Sequence, residues 1–114
     1  MESIRQKKVA SLIQDELGVI FTQGIWNALG NIMITVTRVS VTKDLAIAKV
    51  YVSLFPARDP ENAYHLIHKG SSEIRYHLAR RIGKQIRTIP ELHFILDDSL
   101  DYIENIERLL KNNN

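Results

Sequence analysis

Between Asn62 and Pro90 the chain carries six cationic side chains, Lys69, Arg75, Arg80, Arg81, Lys84 and Arg87, against one acid, Glu73. Lysine and arginine at this density can neutralise phosphates and release their counterions, and arginine adds a planar fork that matches phosphate oxygens. The same segment contains "HKGSSEIRYHLARR", in which Gly70-Ser71-Ser72 interrupts a good helical pattern. Gly70 is expected to close one helix in the left-handed conformation, with Ser71 or Ser72 capping the next. A new helix start exposes backbone N–H groups that can take a phosphate, although Glu73 sits at the same positive end. On an ideal wheel of roughly 100° per residue, Lys69, Arg80 and Lys84 fall within about 60° of one another, with Tyr76 beside them. Arg75 and His68 fall on a separate flank, and Arg81 points toward the apolar stripe. The plainer alternative is a solvated helix face with a small-residue packing accommodation.

Other chemistry finds little support. The chain has no cysteine, no His-Glu-x-x-His pattern and no phosphate-loop glycine run, so no nucleophile, metal site or nucleotide cofactor is indicated. His65 and His68 lie three apart on a helix, without a carboxylate ligand nearby. Asp97 and Asp98 resemble a paired-acid site, but their place before Ser99 suits a helix start. The expectation is a protein without catalytic residues, metal or cofactor, and therefore not an enzyme.

The 114 residues, 45% hydrophobic, suit a single domain spanning 1–114. Without cysteine and without an apolar run of membrane-spanning length, a soluble cytoplasmic protein is expected. The formal charge of +2 is small, yet its distribution is not. From Glu91 onward six acids face only Arg108 and Lys111, so the two parts of the chain are opposite in sign.

Val9, Leu12, Ile13, Leu17 and Ile20 recur at helical spacing and Gly24 follows as a stop. "GIWNALG", with the only tryptophan, reads as an ordered connector packed on the core. "IMITVTRVSV" is β-branched, and its alternation changes phase between Val36 and Val39, which fits a bulge or a strand buried on both faces. "AIAKVYVSLF" alternates cleanly, with Ala46, Ala48, Val50, Val52 and Leu54 inward and Ile47, Lys49, Tyr51 and Ser53 outward. The two alanines are expected to let a helix approach closely. Asp59, Pro60 and Glu61 signal a helix start. Ala63, Ile67, Gly70, Ile74, Leu78 and Ile82 then keep one apolar stripe through the break. "LHFIL" is a short third strand, and Ser99 is expected to cap a closing helix with Leu100, Ile103, Ile106 and Leu110 inward. A crossover through helices favours parallel pairing of the second and third strands. The order predicts an α+β domain with a mixed three-stranded sheet, helices mainly on one face.

"ITVTRVSVTKDLAIAKVYVS" closely resembles the hairpin of the bacterial ribosome-binding factor A family, including Asp44-Leu45 and Ala48 to Val52. "IRYHL" and "IPELHFILDDSLDYIENIERLL" are similar to that family's later segments, with Pro90-Glu91-Leu92, Phe94, Asp97 and Ser99 in its signature. "IRQKKVASLIQDEL" is similar to its first helix. The resemblance implies a type II K-homology-like (KH-like) fold, α-β-β-α-kink-α-β. It further implies a non-enzymatic factor that binds free 30S small ribosomal subunits and assists late maturation and 5′-end processing of 16S rRNA. Gly70-Ser71-Ser72 stands where the family has an Ala-x-Gly kink, and "IWNALGNIM" replaces its frequent Asp-Pro-Arg.

On that basis Lys69, Arg75, Arg80, Arg81, Lys84 and Arg87, joined by Arg5, Lys7 and Lys8, are the expected contacts to rRNA phosphates. Ser72 would contribute through the kink backbone. The partners implied are the 30S subunit and its 16S rRNA, met by a monomer that uses no membrane and no small-molecule substrate. Two other readings remain: a KH-like RNA-binding module without a ribosomal role, and a protein-binding adaptor using Tyr51 and Ile47 unless the Trp26 connector covers them.

Overall fold

The computed structural model describes residues 2–97; the expected closing helix from Ser99 and the acidic stretch around it lie outside the described residues. The first helix, α1 (Ile4–Thr22), opens on a capping box in which Ser3 and Gln6 satisfy each other's backbone N–H groups. Gln6 also donates its amide to the Val41 carbonyl at 2.9 Å, tying the helix start to the end of the first strand. Val9, Ala10, Ile13, Leu17 and Ile20 form the buried stripe. Gly24 follows at φ 69°, a left-handed residue that turns the chain out of the helix.

Strands β1 (Met33–Val41), β2 (Ile47–Phe55) and β3 (Glu91–Leu96) form one sheet in the order β1-β2-β3. β1 and β2 are antiparallel, and their register shifts between Val36 and Arg38. Of the two explanations for the phase change, the bulge is therefore the one found. Thr37 is the extra residue, which lets Val36 and Val39 both face the core. β2 and β3 run parallel, as the crossover requires.

The crossover consists of α2 (Pro60–Lys69) and α3 (Ser71–Ile82). Asp59 caps α2 by accepting from the Asn62 N–H, with Pro60 in the first turn. Ala63, Ile67, Ile74, Leu78 and Ile82 are buried, so the apolar stripe does run through the joint. Together with α1 and the inward residues of the sheet they form one hydrophobic core, which includes Trp26. α1 packs mainly on β1, α2 on β3, and α3 on α1 and then on β3. Among the described residues no helix is long and apolar enough to cross a membrane.

Several local expectations are corrected. Ser53, expected outward, is buried. Ala46 is exposed and precedes β2 rather than lying on its inner face, so only Ala48 leaves room there. Gly70 is not left-handed: its φ of −89° and ψ of 6° are open to any residue. Neither Ser71 nor Ser72 caps α3, whose start has no side-chain cap. The glycine is required for space, because a Cβ at Gly70 would lie 2.5 Å from Trp26 Cζ2.

Candidate nucleic-acid interface

The joint between α2 and α3 is a single residue. Gly70 donates to the Leu66 carbonyl at 2.9 Å and accepts from the Ile74 N–H at 2.9 Å, so both helices bond to the joint residue while its ψ of 6° departs from the helical value. Trp26 fills the space left by the missing side chain, packing edge-on against Phe21 as well. Lys69 and His68 end α2 and Glu73 lies in the first turn of α3, each complementing its helix dipole. Since Trp26 lies against the joint, it is not what covers the outward face of β2. Tyr51 there is half-buried under the Arg38 guanidinium, 4.2 Å from the ring centroid.

The break divides what the ideal wheel treated as one surface. Lys69 belongs to α2, Arg80 to α3, and Lys84 to the turn after α3 ends at Ile82. Eleven residues of helical rise would already separate Lys69 from Arg80 by roughly 16 Å. Angular alignment therefore leaves Lys69 and Arg80 as separate stations along the two helices.

At the joint, Ser72 and Arg75 line a small groove of about 240 Å³ with His68 and Tyr64 above β3. Arg75 is committed to the fold: its Nε donates to the Pro90 carbonyl at 3.1 Å and its Nη2 to the Ile89 carbonyl at 2.6 Å. This fork holds the connector that delivers β3 to the sheet. At the other end of α3, Arg80 donates to the Tyr76 hydroxyl at 3.1 Å and lies over its ring. Tyr76 is 56% exposed, so this is an aromatic and guanidinium pair presented to solvent. That Tyr76 lies beside the basic residues agrees with the wheel.

Arg81 instead reaches α1, where it pairs with Glu16. The pair joins two helices that already touch. Lys69, Lys84 and Lys7 are exposed, and among the described residues none forms an ion pair. Lys7 belongs to α1 rather than to the α2–α3 surface.

Arg5, Lys8 and Arg87 are brought together elsewhere. They line a groove of about 800 Å³ where α1, the β1–β2 turn and the α3–β3 connector meet. Sequence reasoning did not anticipate this convergence, nor the residue that shapes it. Leu45 adopts φ 61°, a left-handed conformation that costs a non-glycine residue roughly 1–2 kcal/mol. Around it Asp44 accepts from the Thr42 hydroxyl at 2.7 Å and from the Ala46 N–H at 3.1 Å. Those bonds hold the Asp44 carboxyl below its ordinary value of 3.8, the Thr42 bond being the larger cause. The only available signal was the turn sequence Thr42-Lys43-Asp44-Leu45, which lacks the glycine such a turn favours.

The Ribosome-binding factor A family model matches residues 5–110. This chain belongs to the ribosome-binding factor A family. Ribosome-binding factor A of Christiangramia forsetii is 40% identical over 111 residues, covering 96% of this chain and 85% of the relative. The Flavobacterium johnsoniae ribosome-binding factor A is 41% identical with the same coverage. The crystal structure of ribosome-binding factor A from Thermus thermophilus superposes with a TM-score of 0.65 at 24% identity, covering 80% of this chain and 94% of that one. A Thermus thermophilus ribosome-binding factor A homology model, fitted into a cryo-EM map of a 30S complex, gives 0.62 at 25% identity, covering 78% and 91%. The family fold and the α+β order read from the sequence agree.

Proposed function

We propose that this chain binds free 30S ribosomal subunits in the cytoplasm and assists late maturation of 16S rRNA, including its 5′ end, as a monomeric, single-domain, non-enzymatic factor. What carries the reading is the exposed cations Lys69 and Lys84, which form no ion pair among the described residues, together with the Arg80–Tyr76 pair, on α2, α3 and the turn after it in a ribosome-binding factor A family member. A relative was fitted into a map of its complex with the 30S subunit, which supports the choice of partner.

The mechanism is electrostatic positioning. Lys69 near the joint and Arg80 and Lys84 beyond it meet phosphates at separate points along the RNA, so spacing rather than base identity sets the fit. Tyr76 holds the Arg80 guanidinium and offers a ring edge to sugar or base. Ser72 adds a backbone N–H near the start of α3, where no side chain caps the helix. Arg75 and Arg81 act through the fold: one fastens β3 and the other fastens α1 to α3.

Co-sedimentation with purified subunits tests the proposal. The protein should travel with free small subunits, and the Arg80→Glu/Lys84→Glu variant should do so much less while remaining folded. Equal sedimentation of the variant would remove these cations from the interface.

A further inference from the structure

The larger groove has a chemistry of its own. Val9, Leu12, Leu45 and Ile86 give it an aliphatic floor, and Ile4 at its border is 74% exposed. Arg5, Lys8 and Arg87 stand around that floor, exposed, and none pairs with an acid among the described residues. The one acid in the lining, Asp44, already accepts from Thr42 and Ala46. A ligand that fits must be apolar on one side and anionic on the other.

No aromatic ring lines this groove. An unpaired nucleobase would find no stacking platform there, which is what single-stranded RNA sites normally provide. Aliphatic side chains spaced along a helix, with carboxylates on the flanks, match both the floor and the cations. The backbone adds a second observation. Leu45 keeps a strained conformation that glycine or asparagine would adopt more easily, and its side chain lines the groove while packing, half-buried, against the core.

We propose that this groove docks an acidic amphipathic helix of a partner protein. Leu45 and Ile86 receive its aliphatic anchors, and Arg5, Lys8 and Arg87 meet its carboxylates. The inference goes beyond RNA binding, because it uses cations that the α2–α3 surface does not need.

The test uses the full chain and fluorescence anisotropy with a labelled peptide of about 16 residues, some four helical turns, bearing Leu at helical spacing and Glu between. A second peptide keeps the Leu positions and replaces Glu with Lys, and oligouridylate serves as the RNA probe. The acidic peptide should bind, more weakly as salt rises, and the basic peptide should not. Leu45→Asn, which suits the left-handed backbone, should weaken binding about tenfold while sedimentation with small subunits stays at the level of the unmodified chain. Arg87→Glu should weaken it similarly and carries the test if the Asn variant does not fold. The proposal is overturned if the acidic peptide fails to bind, if both peptides bind equally, if neither substitution weakens binding, or if oligouridylate displaces the peptide. Loss of small-subunit binding by Arg80→Glu/Lys84→Glu is read in a separate assay, so either reading can fail without the other.

Discussion

The Trp26 indole packs against Gly70 so closely that a single added carbon on Gly70 would meet Cζ2 at 2.5 Å. Trp26 is buried and Gly70 has an unstrained backbone, so the helix joint is set by an aromatic ring from a distant connector. Gly70→Ala should therefore destabilise the fold by about 1–3 kcal/mol through overpacking alone. A smaller ring relieves that clash. In denaturant unfolding, Gly70→Ala combined with Trp26→Phe should lose less than the sum of the single losses, whereas strict additivity would refute the contact.

Arg75 and Arg80 are both exposed arginines on α3, but they should behave differently. Arg75→Ala removes two bonds to the connector carbonyls and should cost about 1 kcal/mol, given its exposure. Arg75→Lys should recover little of this, because an ammonium cannot reproduce the fork. Thermal unfolding of the two variants checks the claim. Arg80→Ala should shift the unfolding temperature much less.

Asp44 makes hairpin stability depend on pH. Its folded carboxyl titrates below the ordinary value of 3.8, so its contribution is present above that value and lost as pH falls through the lower, folded one. The unmodified chain should accordingly be more stable than Asp44→Asn at neutral pH, with the gap closing only in strong acid. Unfolding curves measured from acid to neutral pH would show it. A gap that closed nearer neutrality would implicate another group.

Much of the architecture was legible because it depends on local periodicity. The Val9 to Ile20 stripe, the Asp59-Pro60 start and the Ala48, Val50, Val52 and Leu54 face of β2 each encode their partner face within a few residues. The break at Gly70 was legible as a break but not in its cause, since the atom that excludes a side chain belongs to Trp26, far back along the chain. The cation pattern was legible only as angles: a wheel gives direction about one axis and no distance along it, so it could not show that Lys69 and Arg80 lie eleven residues of rise apart. The convergence of Arg5, Lys8 and Arg87 needs the sheet to bring the hairpin turn beside α1 and the β3 connector, which no local pattern contains.

Salt dependence separates phosphate contact from a merely structural role for the remaining cations. If Arg80 and Lys84 each neutralise a phosphate, their double reversal should make the slope of log affinity against log salt shallower by roughly 1.5 or more. An unchanged slope with lower affinity would point to a disturbed fold instead.

The most direct measurement is co-sedimentation of the folded protein, and of Arg80→Glu/Lys84→Glu, with purified small subunits, large subunits and joined ribosomes. The account predicts that the unmodified chain travels with free small subunits only and that the double reversal largely abolishes this. Undiminished sedimentation of the folded double variant, or no preference for small subunits, would contradict it.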